Sequence, residues 1–73
     1  KGSVRAWYHN QTLYVVSTKE DTQVVVYDDI GRQLQTFQTG KGEHAYLLSL
    51  GPGVYIAEVY NSGEVSNLRF IVE

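Results

Sequence analysis

The chain has no cysteine, one proline and one tryptophan, and its charges nearly cancel. Without cysteine no disulfide can staple the fold, so burial and hydrogen bonding must hold it; the absence fits the cytosol and equally a cell surface that does not use disulfides. With a net charge of −2 and no basic run, nothing in the composition suggests an electrostatic grip on nucleic acid or on an anionic membrane. Apolar runs span only a few residues, far short of a membrane-spanning helix. The opening "KGSVRAWYHN" lacks the apolar segment of a signal peptide. Such an opening is expected of a fragment cut from a longer protein, with Gly2 and Ser3 either a cloning scar or a native linker. The 73 residues leave room for one domain, residues 1–73, and none for a large interdomain cleft.

What is present is strand-forming. Hydrophobic residues make up 42% of the chain and charged ones 19%, a globular balance. Valine, tyrosine, threonine, isoleucine and leucine fill short runs separated by glycine, asparagine and aspartate. Seven strands are predicted: Ser3–His9, Thr12–Ser17, Gln23–Asp28, Arg32–Phe37, Glu43–Leu50, Val54–Tyr60 and Val65–Val72. The turns between them are "NQ", "TKED", "DIG", "TGKG", "GPG" and "NSG". No helical period is sustained, and turn signals recur roughly every 8–12 residues, as in an antiparallel β-sandwich.

Alternation assigns faces. Tyr55, Ala57 and Val59 should point inward with Glu58 in water; Leu68, Phe70 and Val72 inward with Arg69 and Glu73 outside. Tyr46, Leu48 and Leu50 share a face. The run Val24–Tyr27 is apolar on both sides, as expected of a central strand covered on each face or partly covered by a parent domain. Leu34 and Phe37 have opposite parity, so their strand should end or bulge between them. Gly31, Gly51 and Gly53 are candidates for positive φ, and Pro52 stiffens its corner. Asp28 or Asp29 should bond backbone amides in the turn before Gly31.

Little here carries catalysis. His9 and His44 have no HxH or HExxH spacing, which argues against zinc. Glu20, Asp21, Asp28 and Asp29 could hold calcium only if the fold brought them to one end; two turns with helpful carboxylates explain them as well. Ser3, Ser17, Ser49, Ser62 and Ser66 lie in no nucleophile motif, and no cofactor is implied. The expectation is a protein that is not an enzyme. Trp7 is expected to plug the core; the alternative is an exposed ring that, with Tyr14, Tyr60 or Tyr27, forms a sugar-stacking platform.

Three stretches in order carry a resemblance. They are Tyr27, Asp28, Gly31, Arg32 and Leu34; then Gly42, His44, Tyr46, Leu48 and Leu50; then Gly53, Val54, Tyr55, Ile56, Ala57 and Val59. Together with "TLYVVS" and a short last strand, they resemble the type A C-terminal sorting domain of the type IX (Por) secretion system of Bacteroidetes, or a look-alike terminal domain without that system. The resemblance implies a non-catalytic, immunoglobulin-like sandwich of seven strands at the end of an exported protein, with a cargo domain N-terminal to it. Its partners would be the outer-membrane secretion machinery and a sortase-like peptidase. Its destination would be the cell surface or the medium, reached through periplasm and outer membrane. The family's recognition segment maps onto Asn67, Leu68, Arg69, Phe70, Ile71, Val72 and Glu73, although the family often ends in lysine or arginine where Glu73 stands. The different-class alternative is an accessory binding module, carbohydrate-binding or adhesive, on a secreted enzyme.

Overall fold

Short runs of alternating side chains, cut by turn residues, make seven antiparallel strands in the computed structural model, which describes residues 4–61 and 63–73. They are β1 (Val4–His9), β2 (Thr12–Ser17), β3 (Thr22–Asp28), β4 (Gln33–Thr39), β5 (Gly42–Leu47), β6 (Gly53–Asn61) and β7 (Glu64–Val72). The predicted strand start at Ser3, the Gly2–Ser3 junction and Ser62 of the "NSG" turn lie outside the described residues. Two sheets form, β1-β2-β5 and β4-β3-β6-β7. Lettered in chain order as A, B, C, C′, E, F and G, these are the ABE and C′CFG sheets of an immunoglobulin-like sandwich.

Local chemistry sets the turns. Asn10 and Gln11 both have positive φ, 56° and 65°, the two-residue turn whose twist suits a hairpin. After β3, the Arg32 amide donates to Asp28 Oδ1 at 2.8 Å and the Asp28 amide donates to the Arg32 carbonyl at 3.0 Å. That knot keeps Arg32 in the turn, so β4 starts at Gln33, not at Arg32. Opposite Val26 and Tyr27, β4 pairs through Gln35 and Gln33, leaving Leu34 as the extra residue of a bulge. The parity change between Leu34 and Phe37 is thereby resolved. β5 stops at Leu47 and not at Leu50; the Leu48 amide makes one more bond in the same register, to the Gln11 carbonyl of the hairpin turn at 2.8 Å, where β2 has already ended. Leu48 stays buried and Leu50 still packs on the core.

The core is aliphatic. Leu13 and Val15 from β2, Val24 and Val26 from β3, and Ala57 and Val59 from β6 are buried at its centre, with Leu48, Phe70 and Val72 around them. Small branched residues let the sheets approach, and aromatic pairs close the two open sides. Phe37 of β4 stacks on Tyr46 of β5 at 4.2 Å, and Tyr8 of β1 on Phe70 of β7 at 4.5 Å. Val25, on the outer face of the interior strand β3, is covered within the chain, flanked in register by Thr36 and Glu58.

Trp7 is not the core plug expected of it. Val4, Ala6 and Tyr8 of β1 turn inward, so Arg5, Trp7 and His9 face outward, and Trp7 is 39% exposed. Of the two glycines flanking Pro52, only Gly53 has positive φ (+156°); Gly51 does not. Gly31 does, at +88°.

One buried polar knot ties the sheets together. Ser17 Oγ of β2 bonds Thr22 Oγ1 of β3 at 2.8 Å and accepts from Asn61 Nδ2 of β6 at 3.1 Å. This end, where Val4, Ser17 and Gly42 are aligned, is here called proximal. The distal end holds Asn10–Gln11, Asp28 and the start of β6.

Candidate recognition end

The register gathers two of the three sequence motifs, and the last strand, at the distal end of one sheet. Asp28 lies across from Tyr55, and Tyr55 across from Phe70; Tyr27 faces Ile56, and Ile56 faces Arg69; Gly53 faces Val72. Residues from two of the three motif stretches, with the last strand, thus lie side by side at this end; the third, Gly42 to Leu50, belongs to the other sheet and starts at the proximal end.

Much of that motif builds the end itself. Asp28 closes the floor of the sandwich. Its Oδ1 accepts from the Ile30 and Arg32 amides at 3.2 and 2.8 Å, and its Oδ2 from Arg32 Nε at 2.9 Å. Burial opposes ionisation of this carboxyl, but the hydrogen bonds from Arg32 and Ile30 and the guanidinium charge outweigh it and hold its pKa below the ordinary value. Gly31 supplies the positive φ of the turn. The Tyr55 hydroxyl donates to the Gly51 carbonyl at 2.8 Å and pins the "GPG" corner. Asp28, Gly31, Arg32, Gly53 and Tyr55 therefore have structural work at this end. Tyr27 and Val54 lie on the outer face, half-buried.

The last strand divides by parity. Leu68, Phe70 and Val72 point into the sandwich and are spoken for by the core. Asn67, Arg69 and Ile71 are exposed on the outer face, and Glu73 is exposed just past the end of β7. β7 is the sheet's edge: among the described strands it pairs only with β6. Along residues 65–72 no other described strand pairs with its second side, where backbone donors and acceptors can take a partner strand. Beside it opens a groove of about 450 Å³ lined by Tyr8, His9, Asn10, Gln11, Ile71, Val72 and Glu73. A shallower hollow of about 300 Å³, bordered by Tyr27, Asp29 and Ile56, lies on the outer face of the same sheet. His9, Asn10 and Gln11 were absent from the sequence-derived site; nothing in their local pattern places them beside the last strand.

Further along the outer face, the Tyr60 hydroxyl donates to Glu58 Oε1. That bond, with a further one to Tyr27 and desolvation, raises the Tyr60 phenol well above its ordinary range.

Other candidates do not assemble. Glu20 and Asp21 precede β3 at the proximal end while Asp28 and Asp29 follow it at the distal end, so the four carboxylates do not converge on one ion. His9 ends β1 distally, whereas His44 bonds the Gly40 carbonyl at 3.1 Å near the proximal end. Among the described residues no group of three or more His, Cys, Asp or Glu could hold a metal, and no helix is long and apolar enough to cross a membrane.

No model of a known protein family matches the chain, and no curated protein matches it.

Proposed function

We propose that this domain is a non-catalytic sorting signal, read by an export apparatus through its last strand and distal end, and joined to a cargo domain that precedes it. The observation that carries this reading is the open edge of β7 with the groove of about 450 Å³ beside it. An extended segment of a partner can pair with that edge by backbone hydrogen bonds, while Arg69, Ile71 and Glu73 supply side-chain selectivity. The motif residues support the reading by holding the turns on either side of that edge in place. A cargo domain ahead of Val4 would sit at the proximal end, leaving the distal end clear. By resemblance, the partners are the outer-membrane secretion machinery and a sortase-like peptidase, and the product reaches the cell surface or the medium.

The test is export. Residues 1–73 are fused to the C-terminus of a periplasm-directed fluorescent protein in a Bacteroidetes host with a working type IX system. The fusion is expected at the surface or in the medium, and in the periplasm of a translocon-deficient strain. Gly53→Val introduces a β-branched residue at a φ of +156° and should damage fold and export together. Arg69→Ala and Glu73→Lys change only exposed positions and should cost less than about 0.5 kcal/mol, so a change in their export reports recognition. Glu73→Lys is expected to improve export. A folded fusion that stays periplasmic in the competent host would refute the proposal.

A further inference from the structure

The outer face of the β1-β2-β5 sheet carries a second constellation. Its rows are Arg5–Val16–Glu43, Trp7–Tyr14–Ala45 and His9–Thr12–Leu47. Trp7 and Tyr14 stack with ring centroids 5.3 Å apart and planes within 14°. Rings that far apart and that parallel are offset-stacked, so Trp7 covers only part of Tyr14, whose cross-strand neighbour on the other side is position 45. There the chain has alanine, too small to cover it. The result is a slot of about 330 Å³, lined by Trp7, Tyr14, Val16, Glu43, His44 and Ala45. The Arg5 guanidinium lies 5.6 Å from the Trp7 ring centre, on the side of the row that Glu43 shares.

We propose that this slot binds a pyranose ring of a β-1,4-linked, gluco-configured glycan. The chemistry of the walls selects it. A ring with every hydroxyl equatorial presents C–H groups on its flat faces and hydroxyls only around its rim. Its faces suit an aromatic wall and an apolar floor of Val16 and Ala45; its rim hydroxyls can donate to the Glu43 carboxylate and accept from Arg5. The volume is at the small end of ligand sites, which fits one or two sugar rings of a longer chain. Leaving a tryptophan and a tyrosine on a solvent-facing row does nothing for the core, whose residues all come from the opposite face. The slot shares no lining residue with the groove beside β7, so it stands or falls separately from the sorting proposal.

The experiment titrates the domain with cellohexaose and, in parallel, with chitohexaose, following the Trp7 indole N–H by NMR. A saturable shift of the Trp7 signal with at least one of them is expected. Ala45→Ile fills the slot at an exposed strand position without touching the core, and should weaken binding by about tenfold or more. Trp7→Ala should do the same, while Glu43→Gln, which keeps an acceptor, should bind within a few-fold of the parent. Each variant's melt is recorded, so that lost binding is scored only on a folded domain. No saturable shift with either sugar by about 10 mM overturns the proposal. So does binding that Ala45→Ile leaves unchanged. A response to tetramethylammonium alone would make the slot a cation cage, and a Trp7 signal that moves only with protein concentration would make it a contact between copies; either result overturns the glycan assignment.

Discussion

Replacing Ser17 by alanine removes one oxygen from the place where the two sheets are tied. Ser17 is only 2% exposed, and its hydroxyl bonds Thr22 Oγ1 at 2.8 Å, Asn61 Nδ2 at 3.1 Å and the Lys19 amide at 3.1 Å. Thr22 loses little, since its own hydroxyl keeps the Lys19 carbonyl at 3.2 Å. Asn61 loses most: it is 1% exposed, and its Oδ1 already has no hydrogen-bond partner among the described residues. A buried group left without its bond costs about 1–3 kcal/mol. Counting the Asn61 amide in full and the solvent-reachable Lys19 amide in part, Ser17→Ala should lose about 2–4 kcal/mol. At about 4–8 °C per kcal/mol for a domain of this size, the melting temperature should fall by about 8–32 °C. A stability of about 4–11 kcal/mol for such a chain exceeds that loss over most of its range, so the variant is expected to stay folded in buffer. Urea unfolding followed by circular dichroism gives the loss directly, with an unchanged slope if the folded state is intact. The double variant Ser17→Ala with Asn61→Val removes both partners, and should recover at least half of the loss, because an apolar pair leaves nothing unsatisfied. A single variant within about 0.5 kcal/mol of the parent would refute the reasoning, and so would a double variant whose loss equals the sum of the two singles.

Three further outcomes are expected. Deleting residues 68–73 removes Leu68, Phe70 and Val72 from the core at about 1.5–3 kcal/mol each, comparable with the whole stability, so the remainder should show no cooperative melt. Gln11→Gly relieves a left-handed conformation (φ 65°) that costs a side-chain-bearing residue about 1–2 kcal/mol, partly offset by glycine's larger unfolded entropy. Its midpoint in urea should therefore rise by the equivalent of about 0.5–1 kcal/mol, and a fall would mean that the glutamine side chain matters to the turn. Asp28 titrates below its ordinary 3.8 in the folded state, so its contribution is present above that pH and is lost as pH falls through the lower folded value. Asp28→Asn should be less stable near neutrality and should show a flatter loss of stability in acid, read from melts between about pH 2 and 7.

Much of the architecture was legible from alternation and turn chemistry alone. A side chain's face in a strand depends on parity, and the parities of Ala57, Val59, Phe70 and Val72 follow from the charged residues between them. The hairpin at Asn10–Gln11 and the aspartate knot before Gly31 are local devices, visible in a few residues of sequence. Trp7 was legible too, had parity been weighed above size: Arg5 and His9 flank it on one face, while Val4, Ala6 and Tyr8 define the other. The pull toward burying the largest apolar residue misled, because the aliphatic residues of β2, β3 and β6 already fill the narrow space between the sheets.

Other features depend on which strands become neighbours, and no local pattern encodes that. Only the pairing of β3 with β6 and of β6 with β7 brings "YDDIGR", "GPGVY" and the last strand to one end. Only the crossing of the chain between sheets sets Ser17 against Asn61, 44 positions apart, and separates the carboxylates before β3 from those after it. The slot beside Tyr14 is of the same kind: it exists because β5 pairs in a register that puts an alanine, and not a larger residue, across from the ring. Local sequence decides which face a side chain takes; the pairing of distant strands decides what it meets there.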